Sequence, residues 1–146
     1  SDADLNAVAA YLKDSPVEKD KATTKPAAVD KQALSRGEAL YFDNCTGCHM
    51  ENGEGLAHAF PPLKGSSAVQ AENSDTVVHV VLAGAKMAAT PGKLAGFAMP
   101  AFDWKLNDTE VADLVNYIRN AWGNHAPLTS ADAVSKVRKG IEHAGG

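Results

Sequence analysis

The stretch Cys45-Thr46-Gly47-Cys48-His49 decides how this chain folds. Its two thiols stand three positions apart, and an imidazole follows the second thiol at once. One turn of backbone at this spacing brings both sulfurs to one edge of a porphyrin, where each can form a thioether with a vinyl group. The histidine then points at the iron as an axial ligand, a common arrangement in redox proteins. The motif is the attachment sequence for c-type haem, and it predicts one haem c bound covalently through Cys45 and Cys48.

Two other kinds of site use cysteines at this spacing, and both fit the chain less well. A redox-active CxxC pair of the thioredoxin type belongs beside a strand–helix unit, but no strand-rich region precedes Cys45. A structural zinc ion needs four ligands, and the chain contains two cysteines in total. Because His58 or another histidine would have to complete a zinc site, haem is the better interpretation.

Length and composition suit one soluble domain built around a cofactor. The chain has 146 residues, of which 45% are hydrophobic and 22% are charged. No apolar run approaches the roughly 20 residues that span a bilayer. The net charge of -4 argues against nucleic acid as a partner. Aromatic residues make up only 6% of the chain, so a bound porphyrin would supply core volume that side chains do not.

Helical spacing of apolar residues dominates the sequence, which predicts an all-α fold. A helix is expected from about residue 31 to 43, with Asp30 as its N-cap. Gly37 lies on the inner face of this helix, where glycine costs about 1 kcal/mol relative to alanine. Such a cost suggests close approach by another backbone. After an irregular segment rich in glycine and proline, Ser74 begins a short helix that ends at Gly84. No segment predicts a convincing strand.

The clearest helical pattern spans residues 107–122. Asn107 and Glu110 form a capping-box-like start, and Gly123 ends the pattern. A final helix is expected at about 130–143. The helix predicted at 107–122 carries three acidic side chains, which are placed on its solvated side: Asp108, Glu110 and Asp113. This placement argues against a paired-carboxylate site. The chain also lacks a nucleophile–base pairing, a P-loop and a dinucleotide fingerprint, so no catalytic constellation is predicted.

The first helical segment repeats the pattern of the clearest one. In the register that sets Asp2 on Asp108, the acidic, apolar and tyrosine–aliphatic–basic positions of the two segments coincide. Any two amphipathic helices share apolar spacing, but the matched cap and triplet go beyond it. We therefore interpret the chain as the last domain of a longer multi-haem protein. Its predicted segments are the closing helix of a preceding domain of the same type at 1–13, a polar linker at 14–30, a haem domain at 31–123 and a C-terminal extension at 124–146.

Beyond the motif, the chain resembles the class I c-type cytochromes over residues 31–123. The resemblance is carried by the helix with Gly37 and Tyr41, the CTGCH motif, the segments FPPLKGS and GFAMPAF, and the closing helix with Tyr117 and Trp122. Within that family, MPAFDWKLNDTEVADLVNYIRNAWGN and HAPLTSADAVSKVR resemble the C-terminal haem domain of the three-haem cytochrome subunit of membrane-bound bacterial dehydrogenases. Those complexes oxidise alcohols, gluconate or sorbitol at the periplasmic face. The resemblance implies the class I cytochrome c fold, with the first and last helices crossing over the haem.

The motif and the resemblance together imply a one-electron carrier that is not itself an enzyme. The resemblance implies three kinds of partner: preceding haem domains of the same polypeptide, the catalytic subunit of a dehydrogenase, and a quinone or a downstream electron carrier or oxidase. It also implies a periplasmic location, with membrane association through the complex. Two alternatives stay open. One is a five-coordinate haem module that senses a gas or acts as a peroxidase, and the other is a free-standing cytochrome with a single haem.

The second axial ligand must come from elsewhere in the chain. Met50 follows His49 directly and cannot reach the opposite face of the haem, which leaves Met87, Met99 and the remaining histidines. Met99 precedes Pro100, and proline holds the residue before it in extended geometry. The sixth ligand of the family resembles this Met-Pro pair, so we expect His49 and Met99 as the two iron ligands. The other histidines are expected to be exposed or to cap helices: His58, His79, His125 and His143.

Further pocket residues are implied by the family pattern. In the family, a backbone carbonyl accepts a hydrogen bond from the second ring nitrogen of the proximal histidine. Here Pro61 or Pro62 would provide that carbonyl and fix the tautomer of His49. Gly37 and Tyr117 resemble the crossing point of the first and last helices. The candidate walls of the haem pocket are Leu63, Phe97, Phe102 and Trp104.

Overall fold

The computed structural model describes residues 1–14, 30–86 and 97–144. This part of the chain forms six helices and one small sheet, which confirms the helical fold class. The helices are α1 (Asp2–Asp14), α2 (Lys31–Asn44), α3 (Thr46–His49), α4 (Asp75–Ala83), α5 (Asp108–Asn120) and α6 (Ala131–Ala144). The predicted helices thus lie within about two residues of those observed.

A two-stranded sheet departs from the prediction that the chain contains no strand. Its strands, β1 (Ala85–Lys86) and β2 (Ala98–Met99), pair antiparallel with Ala85 opposite Met99. Two residues are too few for the alternating apolar pattern by which a strand is recognised in a sequence. The sheet could not be predicted for that reason, although it holds the backbone of Met99.

The predicted helix starts are confirmed, with one change in how they are capped. Asp30 caps α2 by accepting a hydrogen bond from a backbone N–H of the first turn at 2.9 Å. Asn107 and Glu110 form the expected capping box at the start of α5. α4 begins after Ser74, but the Ser74 hydroxyl donates to Thr129 Oγ1 at 2.9 Å instead of capping the helix. This bond ties the start of α4 to the segment that leads into α6.

α2 and α5 cross at Gly37, as the sequence predicts. A Cβ atom at this position would overlap the backbone carbonyl of Asp113 and the Cβ atom of Tyr117. Only glycine therefore lets the two backbones come this close together. The buried core beside this crossing includes Tyr41, Leu82, Val111, Leu114, Val115 and Ile118.

Asp113 contradicts the expectation that it faces solvent. Its side chain is only 9% exposed, and its Oδ2 atom accepts a hydrogen bond from Arg36 Nε at 2.7 Å. The close approach of α2 at Gly37 covers this flank of α5, which the pattern of α5 alone cannot reveal. Arg36 itself is half exposed, so water screens the ion pair and it adds little to stability.

A buried arginine anchors the segments on either side of α5. Arg119 is completely buried, and its guanidinium donates to four backbone carbonyls. These carbonyls belong to Val69, Ala71, Glu72 and Pro127. Burial lowers the pKa of Arg119, but a guanidinium stays charged in proteins, and the carbonyl dipoles offset the cost of burying it. The sequence shows Arg119 only as a basic residue near a helix end, so this role was not predictable.

The two ends of the chain differ in how they pack. α6 packs against α4 and α5, and Val134 of α6 is completely buried. α1 instead carries Leu5, Val8 and Tyr11 at the surface, each more than half exposed. Apart from its two end residues, the linker predicted at 14–30 lies outside the described residues.

Candidate functional site

A cavity of about 300 Å³ lies between α3, α4, β2 and the segment from residue 59 to 69. Its volume is that of a typical small-molecule or cofactor site, and its walls are mostly apolar, as such sites are. α4 and α5 contribute Val77, Val80, Val81, Leu114 and Ile118 to these walls. The predicted site residues lie around this cavity.

The CTGCH motif forms one wall of the cavity. Cys45 ends α2 and begins α3, so the chain makes one short helical turn at the motif. The backbone N–H of His49 donates to the carbonyl of Cys45 at 2.9 Å and closes that turn. Both cysteines and His49 line the cavity, with Cys45 buried and Cys48 exposed. The turn therefore brings two sulfurs and an imidazole to one surface.

The orientation of His49 is set by a hydrogen bond to Pro61. The Nδ1 atom of His49 lies 3.0 Å from the backbone oxygen of Pro61. A carbonyl oxygen can only accept, so Nδ1 carries the proton and Nε2 keeps its lone pair for a metal ion. Of the two prolines considered in the sequence, Pro61 makes this contact, while Pro62 and Leu63 line the cavity.

The electrostatic surroundings of the motif favour neutral groups. Burial lowers the pKa of His49, and the hydrogen bond to Pro61 opposes this shift only in part. The surroundings thus favour the neutral imidazole that a metal ligand must be. Burial raises the pKa of Cys45 to about 12, which favours an uncharged sulfur. A zinc site needs thiolates and further ligands, and the described residues contain no group of three or more histidine, cysteine or acidic side chains placed for a metal ion. Uncharged thioether sulfurs suit this environment better.

Met99 lines the same cavity from β2. Its backbone pairs with Ala85, which directly follows the glycine that ends α4. That glycine, Gly84, has a φ of 72° and a ψ of -176°, a conformation open almost only to glycine. A Cβ atom there would lie 2.5 Å from the carbonyl oxygen of Met99. Gly84 is therefore needed for the strand that presents Met99.

The other candidate ligands lie elsewhere. Among the described residues, His58, His79 and His125 are exposed and do not line the cavity, in agreement with the expectation for them. Met87 lies outside the described residues, and so does the side chain of His143.

Three of the four predicted walls line the cavity, and one prediction is wrong. Leu63, Phe97 and Phe102 contribute to the cavity surface. Trp104 is 80% exposed, and its indole N–H donates to the carbonyl of Ala101 at 3.0 Å. The chain leaves the cavity after Phe102 and turns at residues 103–105, so the next aromatic residue points to the surface.

The family follows from a comparison with known proteins. The family model described as cytochrome c matches residues 34–122. This chain belongs to the cytochrome c family. As a cytochrome c domain it transfers electrons, and family membership implies a covalently bound haem c. The apolar cavity, the two sulfurs at its wall and the available Nε2 atom of His49 fit that group.

Three relatives indicate where such domains occur. The chain is 38% identical to the cytochrome c subunit of the alcohol dehydrogenase (quinone) of Gluconobacter oxydans (strain 621H), over 94% of this chain and 30% of that protein. It is 37% identical to the gluconate 2-dehydrogenase cytochrome c subunit of Pantoea cypripedii, over 95% and 34%. It is 33% identical to a cytochrome c-552 of Thermus thermophilus, over 68% and 82%. The chain thus spans about a third of the length of the first two relatives.

A cluster of three aromatic rings is connected to the end of the CTGCH motif of this cytochrome c domain. The rings of Tyr41 and Trp122 lie 4.9 Å apart, and that of Tyr117 lies 5.6 Å and 5.5 Å from them. The hydroxyl of Tyr41 donates to the carbonyl of Met50 at 2.6 Å. Because Met50 directly follows His49, this bond fixes the end of α3.

Asn124 is a positioning residue that the sequence did not reveal. Its side chain is buried, accepts a hydrogen bond from the N–H of Gly65 at 2.8 Å, and donates to the carbonyls of Leu63 and Ile118. It thus ties the proline-containing segment beside His49 to the end of α5. A single asparagine after a helix gives no sequence signal for such a role.

The valines of α4 were also missed as cavity walls, although a signal was present. The helix reads DTVVHVVLA, so apolar residues occupy more than one face. One face packs in the core and another lines the cavity.

Within the described ranges, no helix combines the length and apolar character that crossing a bilayer requires.

Proposed function

We propose that this chain is a one-electron carrier in which His49 and Met99 bind the iron of a single haem c attached to Cys45 and Cys48. The observation that carries the proposal is that all four side chains line one apolar cavity. When bound, the haem supplies a reversible one-electron change between ferric and ferrous iron. His49 and Met99 would hold the iron from the protein, which would leave no site for a substrate or for oxygen and is the reason to propose a carrier rather than an enzyme.

The residues of the chain hold and tune the haem in this proposal. The hydrogen bond from His49 to Pro61 keeps the imidazole in one tautomer and orientation. A thioether ligand raises the reduction potential compared with a second histidine. The mostly apolar walls exclude water, which disfavours the additional positive charge of the ferric state. Cys48 is exposed, so the thioether side of the site is the side open to a redox partner.

Replacement of Met99 tests the ligand assignment. We expect Met99→Ala, loaded with haem, to lose its fully low-spin absorption spectrum and to have a lower midpoint potential, because the thioether ligand is gone. Met50→Leu is the matched control, since the hydrogen bond from Tyr41 goes to the backbone carbonyl of Met50, and it should keep both properties. A Met99→Ala protein that retained its potential and its low-spin spectrum would rule out Met99 as a ligand.

Carbon monoxide separates this proposal from the five-coordinate alternative. A ferrous haem with two protein ligands binds carbon monoxide poorly, whereas a haem with an open position binds it readily. We expect poor binding at neutral pH for the parent chain and ready binding for Met99→Ala. Ready binding by the parent would favour a gas-binding or peroxidase function.

We further propose that the domain is the terminal haem domain of a multi-haem cytochrome subunit in a periplasmic dehydrogenase complex. It would pass electrons from preceding haem domains and a dehydrogenase catalytic subunit to a quinone or a downstream carrier. The names of the alcohol and gluconate dehydrogenase relatives, and the third of their length that this chain spans, support the proposal. Mass spectrometry of the native polypeptide tests it, because several covalent haems per molecule are expected. A single haem would favour the free-standing cytochrome.

The surface of α1 also supports a preceding domain. In the register that aligns α1 with α5, Leu5 and Val8 correspond to Val111 and Leu114, which are completely buried. On α1 the two side chains are more than half exposed. α1 therefore carries apolar side chains at positions that are buried in α5, and we propose that residues 1–13 close a preceding haem domain as α5 closes this one.

A further inference from the structure

The C-terminal extension contacts the segment that carries Met99, although the extension lies outside the region matched by the cytochrome c family model. That region ends at residue 122, whereas α6 begins at Ala131. α6 packs on both α4 and α5. The segment from 97 to 107 contains β2 and leads from the cavity to α5. On this path it contacts α6 through a hydrogen bond from Arg138 to Asp103.

One side chain of α6 makes this contact. The Nη1 atom of Arg138 donates to the carbonyl of Asp103 at 2.8 Å, and its Nη2 atom donates to the carbonyl of Leu106 at 2.8 Å. Its Nε atom donates to Asp108 Oδ1 at 2.7 Å. Arg138 is only 18% exposed, so its bonds to Leu106 and Asp108 are partly shielded from water. A single guanidinium thus connects Asp103 and Leu106, which flank the turn, to Asp108, the first residue of α5.

Other bonds hold the same segment from the side of α4. The N–H groups of Phe102 and Asp103 donate to the carbonyls of Val81 and Leu82, at 3.1 and 3.3 Å. The pairing of β1 with β2 continues this support to Met99. The segment is thus held by α4 on one side and by Arg138 of α6 on the other. Because α6 also packs on α4, these two supports are connected to each other.

We propose that Arg138 is a positioning residue for Met99, which fixes the distance between the thioether and the haem iron by holding the carbonyls of Asp103 and Leu106. The inference rests on Met99 being the axial ligand, as proposed above. Asp103 follows Met99 closely in the chain, so a shift of the turn moves the thioether. An axial thioether bond is sensitive to such a shift, because sulfur must stay within bonding distance of iron in both oxidation states.

The geometry of the contact requires arginine in particular. A guanidinium presents its donors in a rigid planar fork and can hold three acceptors at once. A lysine ammonium at the same position carries the same charge, but it cannot match the three directions. Hydrogen bonds from a charged donor are also stronger than those between neutral groups. Arg138→Lys should therefore keep only part of the restraint on the turn that Arg138→Gln removes.

The test compares the haem-loaded parent chain with Arg138→Gln and Arg138→Lys. Three readouts report on the thioether bond: the red-region absorption band of thioether-bound ferric haem, the Met99 methyl resonance of the ferrous protein, and the midpoint potential. We expect Arg138→Gln to lower the ratio of methionine-bound to methionine-released ferric protein about tenfold, and to lower the potential. Arg138→Lys should show a smaller change in the same direction, and it carries the test if Arg138→Gln does not take up haem.

Two controls separate positioning from charge and from overall stability. Lys139→Gln removes the same charge from the exposed neighbour of Arg138. Val134→Ala weakens the packing of α6 through a buried residue that makes no hydrogen bond to the turn. Both controls should keep the parent values of all three readouts, even where Val134→Ala lowers the free energy of unfolding as much as Arg138→Gln does.

Three results would contradict the positioning role of Arg138 or the ligands on which it depends. Equal effects of Lys139→Gln or Val134→Ala would overturn it, and so would unchanged readouts in both Arg138 variants while the parent shows a bound Met99. A parent without the absorption band and the methyl resonance would instead overturn the proposed ligand set, and this inference with it.

Discussion

Gly37 and Gly140 both lie inside helices, but their surroundings are opposite. A Cβ atom at Gly37 would overlap the Asp113 carbonyl, whereas nothing lies within 4 Å of one at Gly140. We expect Gly37→Ala to lower the free energy of unfolding by about 1–3 kcal/mol, because the helices must move apart. Gly140→Ala should instead raise it by about 0.5–1 kcal/mol, as alanine does at an open helix position. Urea unfolding of the haem-loaded chain measures both, and a neutral Gly37→Ala would contradict the close crossing.

Tyr41 makes the stability of the fold depend on alkaline pH. Burial raises the pKa of its hydroxyl, which donates to the carbonyl of Met50. Because the folded pKa lies above the unfolded value of about 10, this contribution is fully present below pH ~10 and is lost as the pH rises towards the folded pKa. Tyr41→Phe should remove this alkaline loss. It should also cost about 1 kcal/mol near neutral pH, since the Met50 carbonyl loses its partner.

Denaturant unfolding between about pH 7 and pH 11 checks the role of Tyr41. The parent should lose stability more steeply than Tyr41→Phe at the upper end of this range. Parallel pH profiles for the two proteins would mean that another group causes the alkaline loss.

At the scale of elements, the sequence predicts those that carry their own start and stop signals. α5 has a capping box at Asn107 and Glu110 and a continuous buried stripe, so its existence and position could be predicted. β1 and β2 have no such signals, because their two-residue pairing depends on Gly84 and on contacts that the fold creates. The sequence likewise could not place Asp113, whose burial is due to α2 and not to the pattern of α5.

The capping box of α5 gives a prediction at the same scale. Asn107 accepts hydrogen bonds from two backbone N–H groups of the first turn, both at 3.0 Å. Asn107→Ala should therefore lower the free energy of unfolding by about 1 kcal/mol. Thr109→Ala is the matched control on the exposed side of the same turn, and its change should stay within about 0.5 kcal/mol. Thermal unfolding of both variants measures the difference. Equal values for the two would show that the cap contributes no stability.

For the whole molecule, the site was more predictable than its surroundings. The CTGCH motif is local, so its chemistry could be predicted from five consecutive residues. The choice between Pro61 and Pro62 depends on how the loop folds back to His49, and Trp104 was misplaced because the chain turns away after Phe102. Tertiary contacts of this kind leave no periodic trace in a sequence.

The exposed face of α1 provides a prediction for the whole protein. Leu5→Lys with Val8→Lys should change the free energy of unfolding of this chain by about 0.5 kcal/mol or less, because both side chains already contact solvent. Leu114→Ala, at a corresponding buried position of α5, should cost about 2–5 kcal/mol. If a haem domain precedes this chain as proposed, the double substitution should destabilise that domain in the longer protein, which limited proteolysis would detect. Unchanged proteolysis would argue against the packing proposed for α1.

The hydrogen bond between His49 and Pro61 has an electronic consequence. The imidazole ring cannot rotate about its bond to Cβ without breaking that contact, so in the proposed haem complex its plane would keep one direction relative to the porphyrin. The direction of an axial imidazole plane governs how the unpaired spin of ferric iron is shared among the four pyrroles. In the proposed haem complex, the magnetic anisotropy of the oxidised protein would therefore depend in part on a backbone oxygen twelve residues further along the chain.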